Sequence, residues 1–172
     1  MNEVLNAIRT RRSVRRYKPD PIPADVLKRI AEAGTWAATG MNRQSPLILV
    51  VTDRTLRDRL SAMNAAILHT DTDPFYGAPV VLVVLASKAV PTRVCDGSLV
   101  MGNLMLAAHA EGVASCWINR AREEFESEEG KAILKELGIE GDWEGVGHCI
   151  LGYADGELPA PAPRKPDYVR FV

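Results

Sequence analysis

Residues 79–86, Pro79-Val80-Val81-Leu82-Val83-Val84-Leu85-Ala86, restrict the fold more than any other stretch. The run has no polar side chain and is rich in valine. It is too short for an ordinary helix, and its β-branched content favours a strand. An apolar strand with no polar alternation is buried on both faces, so it belongs at the centre of a sheet.

Further elements supply the cover. Residues 24–33 carry Val26, Leu27, Ile30 and Ala31 on one helical face. Pro23 suits the first turn of that helix, and Gly34 suits a cap or bend near its end. Thr52-Asp53 can cap a helix whose stripe is Leu56, Leu60, Met63 and Ile67. Residues 94–110 read as a long helix, apolar on more than one face, with small residues at Gly102, Ala107 and Ala108. Such a helix is buried in a large core or across a subunit interface. At 172 residues the chain is one ordinary domain. A domain of that size has little room to enclose such a helix, which points to an oligomer. Residues 47–51, 113–118 and 145–152 read as further strands. Residues 121–137 read as helical, and residues 121–144 hold nine acidic against three basic side chains. That balance suits a solvated outer face, anchored by Phe125, Ile133, Leu134 and Leu137. Beyond residue 152, Pro159, Pro161, Pro163 and Pro166 give an extended tail that can lie along a partner subunit. Its end, residues 168–172, can add an edge strand.

Charge is distributed unevenly. The formal net charge is −1, yet residues 1–18 hold six basic side chains and one acidic one. Arg11, Arg12, Ser13 and Arg15 stand where a helix marked by Val4, Leu5 and Ile8 runs toward Pro19 and Pro21. Arginine forks and a hydroxyl at a helix end suit an anion, and a phosphate above all. A grip on nucleic acid needs a broad basic face, which this chain lacks. A solvated basic patch is the plainer reading. The polar stretch of residues 35–46 joins a helix to a strand and is either a ligand-contact loop or a simple turn.

Several chemistries are absent. No GxGxxG follows a strand, and no P-loop, GxSxG or HExxH motif occurs. Cys95, Cys116 and Cys149 form no CxxC pair and read as buried free thiols. His148 and Cys149 point to opposite faces of a strand, which does not suit a zinc site. A lone His109 on an apolar helix reads as a satisfied interior or interface group. No nucleophile–base set stands out, which favours chemistry supplied by a cofactor. No apolar run is long enough to span a membrane, and no hydrophobic signal core opens the chain, so a cytoplasmic protein is expected.

Four motifs in order resemble the nitroreductase-like FMN-dependent oxidoreductases. Arg11-Arg12-Ser13-Val14-Arg15 resembles the family's phosphate motif. Residues 37–46, Ala37-Ala38-Thr39-Gly40-Met41-Asn42-Arg43-Gln44-Ser45-Pro46, resemble its small-residue, Gly-x-Asn-x-Gln-x-Pro loop. Residues 106–118 resemble the segment leading to the flavin ring. Gly152-Tyr153 followed by Pro163-Arg164-Lys165-Pro166 resembles its C-terminal signature.

The resemblance implies an α+β fold with a mostly antiparallel central sheet flanked by helices. It implies one FMN-binding domain over residues 1–172, built as an intertwined homodimer, with residues 153–172 as an exchanged tail embracing the partner. Arg11, Arg12 and Ser13 would meet the FMN phosphate or ribityl chain, and Arg15 the pyrimidine edge. Thr39 and Asn42 would approach from the other subunit, with Gln44 supporting their loop. Asn64 is a further candidate for a ring contact. Trp117, Ile118, Asn119 and Arg120 would pass the isoalloxazine, while Arg164 and Lys165 would close on the phosphate. No side chain is implied as catalytic, since flavin N5 is the reactive centre. NADH or NADPH would be the donor, and a nitroaromatic, quinone or similar small conjugated molecule the acceptor, in ping-pong turnover. Asn119-Arg120 departs from the glycine-containing pair common at that point. The chain is also short for the family. Two alternatives stand beside this reading. One is a flavoprotein of the same scaffold with a specialised dehydrogenation, dehalogenation or FMN-storage role. The other is a cofactor-free nucleic-acid or protein binding module.

Overall fold

The computed structural model describes residues 2–172. Among these residues, four strands and six α-helices make up the fold: α1 (Glu3–Thr10), α2 (Ala24–Thr35), β1 (Pro46–Val51), α3 (Arg54–Leu68), β2 (Val80–Ser87), α4 (Arg93–Ala110), β3 (Ala114–Ile118), α5 (Ala121–Glu126), α6 (Glu128–Glu136) and β4 (Trp143–Gly152). The sheet runs β1-β2-β4-β3 and every pair is antiparallel. The fold class is therefore α+β with an antiparallel sheet between helices. No helix among the described residues is long and apolar enough to cross a membrane.

The valine-rich run is the inner strand β2, paired with β1 on one side and β4 on the other. Alternate residues serve two cores. Val81, Val83 and Leu85 join Leu60, Met63, Phe75, Phe125 and Ile133 on one face. Val80, Leu82 and Val84 join Leu27, Ile30, Val100, Met101 and Leu104 on the other. Each such buried side chain contributes roughly 1.5–3 kcal/mol over an exposed one, which is why no polar residue interrupts the run. His148 lies with Phe75 and Phe125, whereas Cys149 lies in the opposite core, as strand alternation requires.

Local chemistry sets the helix boundaries. Asp53 caps α3 by accepting from Leu56 N at 2.8 Å. Pro23 is the residue before α2 rather than part of its first turn. Gly34 lies inside α2, and a methyl there would meet Leu104 Cδ2 at 2.7 Å and Ile48 Cδ1 at 2.8 Å. It is a close-approach glycine between α2 and α4 rather than a cap.

The acidic segment departs from expectation twice. Its helix is broken at Ser127, whose extended ψ of 159° ends α5 and whose hydroxyl caps α6 through Gly130 N at 3.0 Å. Nor is it solvated throughout, because Glu124 and Glu144 are buried. Glu144 is held by Arg93 at 2.5 Å and lies 3.7 Å from Arg122. Cys116 and Cys149 are buried thiols, but Cys95 is exposed. Burial pushes the Cys149 thiol up to about 12. The tail is extended and exposed, and residues 168–172 form no strand within this chain.

Candidate functional site

The basic N-terminal segment is anchored on the sheet. After α1, residues 11–18 run beside β3 and the chain following β4. Ser13 bridges Ser115, Val14 N donates to Ser115 O at 3.0 Å, and Lys18 N donates to Tyr153 O at 2.9 Å. Tyr17 donates its hydroxyl to Val14 O at 2.6 Å, and burial pushes its pKa up. This framing separates the arginines by role. Arg12 donates through Nη1 to the carbonyls of Arg9 and Arg11, and through Nε to Pro159 O, so it locks the turn. Arg16 pairs with Asp155, and Arg15 is exposed. Arg11 is different, because its Nη1 is buried without a protein partner. The Ser115 hydroxyl, on the strand residue that bridges Ser13, is likewise buried and unpartnered. An unsatisfied buried guanidinium nitrogen is expensive, and an anion at this point would satisfy it.

His109 stands beside these arginines. Thr10 gives its single hydroxyl proton to Asn6 O at 2.8 Å. The 2.8 Å contact between Thr10 Oγ1 and His109 Nε2 therefore has the ring nitrogen as donor. Partial burial first, then the charges of Arg11 and Arg12, hold the His109 pKa below its ordinary value. The unfolded chain thus takes up this proton before the folded one does. Stability falls as pH drops through the ordinary histidine range near about 6.5. His109→Gln is expected to lose less stability than the wild type between about pH 7 and about pH 5.5, read as urea midpoints. Equal losses would remove His109 from the acid response.

The loop after α2 carries Thr39, Asn42 and Gln44. Gln44 N donates to Thr39 Oγ1 at 3.0 Å, and Gln44 Nε2 to Asn42 Oδ1 at 3.2 Å. Met41, Asn42 and Gln44 all have positive φ, at 56°, 53° and 49°. Left-handed backbone costs a non-glycine residue about 1–2 kcal/mol, so something must hold this shape. Asp96 of α4 does so by accepting from Gly40 N at 2.9 Å and from Thr92 Oγ1 at 2.8 Å. A groove of about 960 Å³ lies beside the loop, between α2 and the outer strand β1, lined by Leu27, Ala31, Thr39, Gln44 and Ile48 among others. Among the described residues, no hydrogen bond joins this loop to residues 11–15.

At the end of β3 the chain turns sharply into α5. Trp117 packs its ring over Gly147, where a methyl would meet the indole nitrogen at 2.6 Å. Ile118 is buried in the core. Beside Asn119, Arg120 takes φ 78° and donates from Nε to Asn64 Oδ1 at 2.9 Å. Asn64 donates in turn to Asn119 O at 2.8 Å and to Glu124 Oε1. His148 Nε2 lies 2.9 Å from Glu124 Oε2, off the direction of a good hydrogen bond. Asn64 is fully enclosed here, and both of its amide hydrogens are engaged by the chain itself.

The structure thus gathers Arg11, Arg12 and Ser13 at one place and Asn64, Asn119 and Arg120 at another. It leaves Arg164 and Lys165 on the exposed tail, which bonds to the N-terminal segment nearer its start, through Tyr153, Asp155 and Pro159. Sequence reasoning missed Asp96, Ser115, Glu124 and His148. The structure places Glu124 one helical turn after the buried Ala121 and beside the buried Phe125, a burial that its acidic surroundings conceal in the sequence.

Comparison with known proteins agrees with this architecture. The Nitroreductase family model matches residues 8–153. A proposed NADH dehydrogenase/NAD(P)H nitroreductase from Archaeoglobus fulgidus is 30% identical over 160 residues, covering 91% of this chain and 88% of that protein. A similarly described protein from Methanothermobacter thermautotrophicus is 26% identical over 119 residues; the match spans 67% of this chain and 60% of the relative, less than two thirds of its length. Among solved structures, a nitroreductase with bound FMN from Bacteroides fragilis superposes with a TM-score of 0.89 at 31% identity, covering all of both chains. With a four-stranded antiparallel sheet between helices, an anchored arginine segment and a family match from Ile8 to Tyr153, this chain belongs to the nitroreductase family.

Proposed function

We propose that the protein is an FMN-dependent oxidoreductase that takes electrons from NADH or NADPH and reduces small conjugated acceptors such as nitroaromatics or quinones. The observation that carries this reading is Arg11 Nη1, buried and unpartnered on a segment anchored beside Ser115. The solved relative with bound FMN supports the identity of the anion as the phosphate of that group. Arg11 and Ser13 hold the phosphate, and Arg12 keeps their turn closed. Arg15 meets the pyrimidine edge, where positive charge favours a reduced, anionic ring. The backbone of Trp117, Ile118, Asn119 and Arg120 lies along the isoalloxazine. The chemistry supplied by bound FMN is hydride acceptance from the nicotinamide and delivery of electrons to the acceptor. The chain's part is to orient the ring and leave one face open, so that donor and acceptor occupy the same place in turn.

The working unit is a homodimer, and residues 1–172 are one domain whose residues 153–172 embrace the partner. Exposed apolar side chains support this: Val4, Leu5 and Ile8 on α1, Leu99 on α4, and Tyr168 and Phe171 on the tail, the last 94% exposed. The unpaired edge of β1 and its groove are further surface to cover. In the dimer, Thr39 and Asn42 reach the partner's flavin with Gln44 behind them, and Arg164 and Lys165 close over the phosphate.

An absorption spectrum of the purified protein, followed anaerobically as NADH and then NADPH are added, tests the reading. Bound flavin that bleaches rapidly with one donor is the expected result. Flavin that stays oxidised with both would remove the nicotinamide reaction and favour a specialised or storage role. Protein that neither contains flavin nor takes it up would remove the function altogether.

A further inference from the structure

Asn64, Glu124 and His148 are all fully buried, and they come from α3, α5 and β4. Each loses hydration on folding, a cost that a purely apolar core would avoid. Asn64 is the hub. Its Nδ2 donates to Asn119 O at 2.8 Å and to Glu124 Oε1, while its Oδ1 accepts from Arg120 Nε at 2.9 Å. It therefore holds Arg120 from both sides, through the preceding carbonyl and through the side chain. The grip matters because Arg120 stands in the left-handed region, where a side chain costs about 1–2 kcal/mol. Behind Asn64, Glu124 Oε2 lies 2.9 Å from His148 Nε2. The His148 ring is tilted against Phe75 and Phe125, with centroids 5.1 and 6.5 Å away.

We propose that Asn64, aligned by the buried Glu124–His148 pair, is the positioning residue for the Asn119–Arg120 turn that faces the flavin ring. This rests on the FMN reading above. A buried polar pair gives little net stability, and apolar residues of similar volume commonly replace one without loss. An apolar replacement cannot aim the Asn64 amide. Removing the pair therefore separates the two roles: the fold persists and the turn loses its alignment.

Nitrogen–proton correlation spectra of the purified full-length protein give the first readout. The Asn64 side-chain amide and the Arg120 Nε–H should survive solvent exchange at neutral pH, since both are hydrogen-bonded and shielded. Their loss in the wild type overturns the proposal without any variant. The double variant Glu124→Leu/His148→Leu removes both polar partners together, so neither is left buried alone. It is expected to retain FMN, lose the two signals, and reduce the flavin about 10²-fold more slowly, the scale set by a misplaced reacting group. Glu124→Gln preserves an acceptor for Asn64 and should stay within about threefold of the wild-type rate. A double variant that keeps both signals and the wild-type rate assigns the pair to packing alone and ends the proposal. If that variant does not fold, the wild-type spectra and Glu124→Gln decide, and a large loss of rate with both signals intact counts against it. Wild-type protein without FMN would sink the functional reading, while the spectra still decide whether Asn64 grips the turn.

Discussion

Arg11→Ala is expected to weaken FMN binding by about 10²-fold, as the loss of a charge-assisted hydrogen bond in a dry site predicts. The free chain should be as stable as before, or slightly more stable. The reason is the unpartnered state of Arg11 Nη1: without an anion, the side chain carries a buried donor that nothing satisfies. Alanine removes that donor along with the charge. Arg12→Ala should behave differently, because its guanidinium is engaged by Arg9 O, Arg11 O and Pro159 O. Its loss frees the turn and the start of the tail, so order and stability fall with affinity. Titration of each variant with FMN, followed by flavin fluorescence, gives the affinities; urea unfolding gives the stabilities. Unchanged affinity in Arg11→Ala would take Arg11 out of the anion site.

Gly145→Ala is expected to destabilise the fold by about 3 kcal/mol or more, the upper end for overpacking a core. Between Val84 and Leu85 the register of β2 against β4 slips, so Gly147 faces Val84 while Gly145 faces Leu85. Val146 is the extra residue at that bulge, and its side chain sits against Gly97 of α4. A methyl on Gly145 would overlap the backbone carbonyl of Ala121, where α5 begins. Backbone cannot swing aside as a side chain can, so α5 must shift and carry the Arg120 turn with it. Gly97→Ala meets side chain rather than backbone, with Val146 Cγ2 at 2.5 Å and Cβ at 3.2 Å, and should cost less. A Gly145→Ala urea midpoint equal to that of Gly97→Ala would show that the start of α5 yields easily.

These two glycines also mark the boundary of what the sequence discloses. The run of residues 79–86 announces its own burial, because eight residues without a polar atom on their side chains fit only an inner strand. The helices of Leu56-Leu60-Met63 and Leu99-Leu104 follow from periodicity, and the arginine segment and the Thr39–Gln44 loop stand out by composition. The polar hub does not. Asn64, Arg120, Glu124 and His148 are scattered along the chain, and local pattern carries no trace of a contact that only the sheet creates. Glu124 was further hidden by its neighbours, since an acid-rich stretch looks solvated until the Ser127 break turns one face inward. The tail shows the same limit from the other side. Its prolines foretell an extended segment, but what it lies against is not written in residues 157–172.

The anchoring of residues 11–18 has a consequence for how the protein is made. Their docking partners are Ser115 on β3 and the Tyr153–Asp155 segment after β4. The inner pairing of the sheet joins β2 to β4 across three helices and a strand. Such long-range pairing is slow, because the loop must close before its contacts reward it. On the ribosome the arginine segment emerges well before β4. It must wait without its docking partners until the strands and the segment that follow have appeared. A nascent chain arrested before residue 143 lacks both the β4 partner of β3 and the Tyr153–Asp155 segment on which residues 11–18 dock, so the anion site is assembled in one late event rather than grown from its arginine motif.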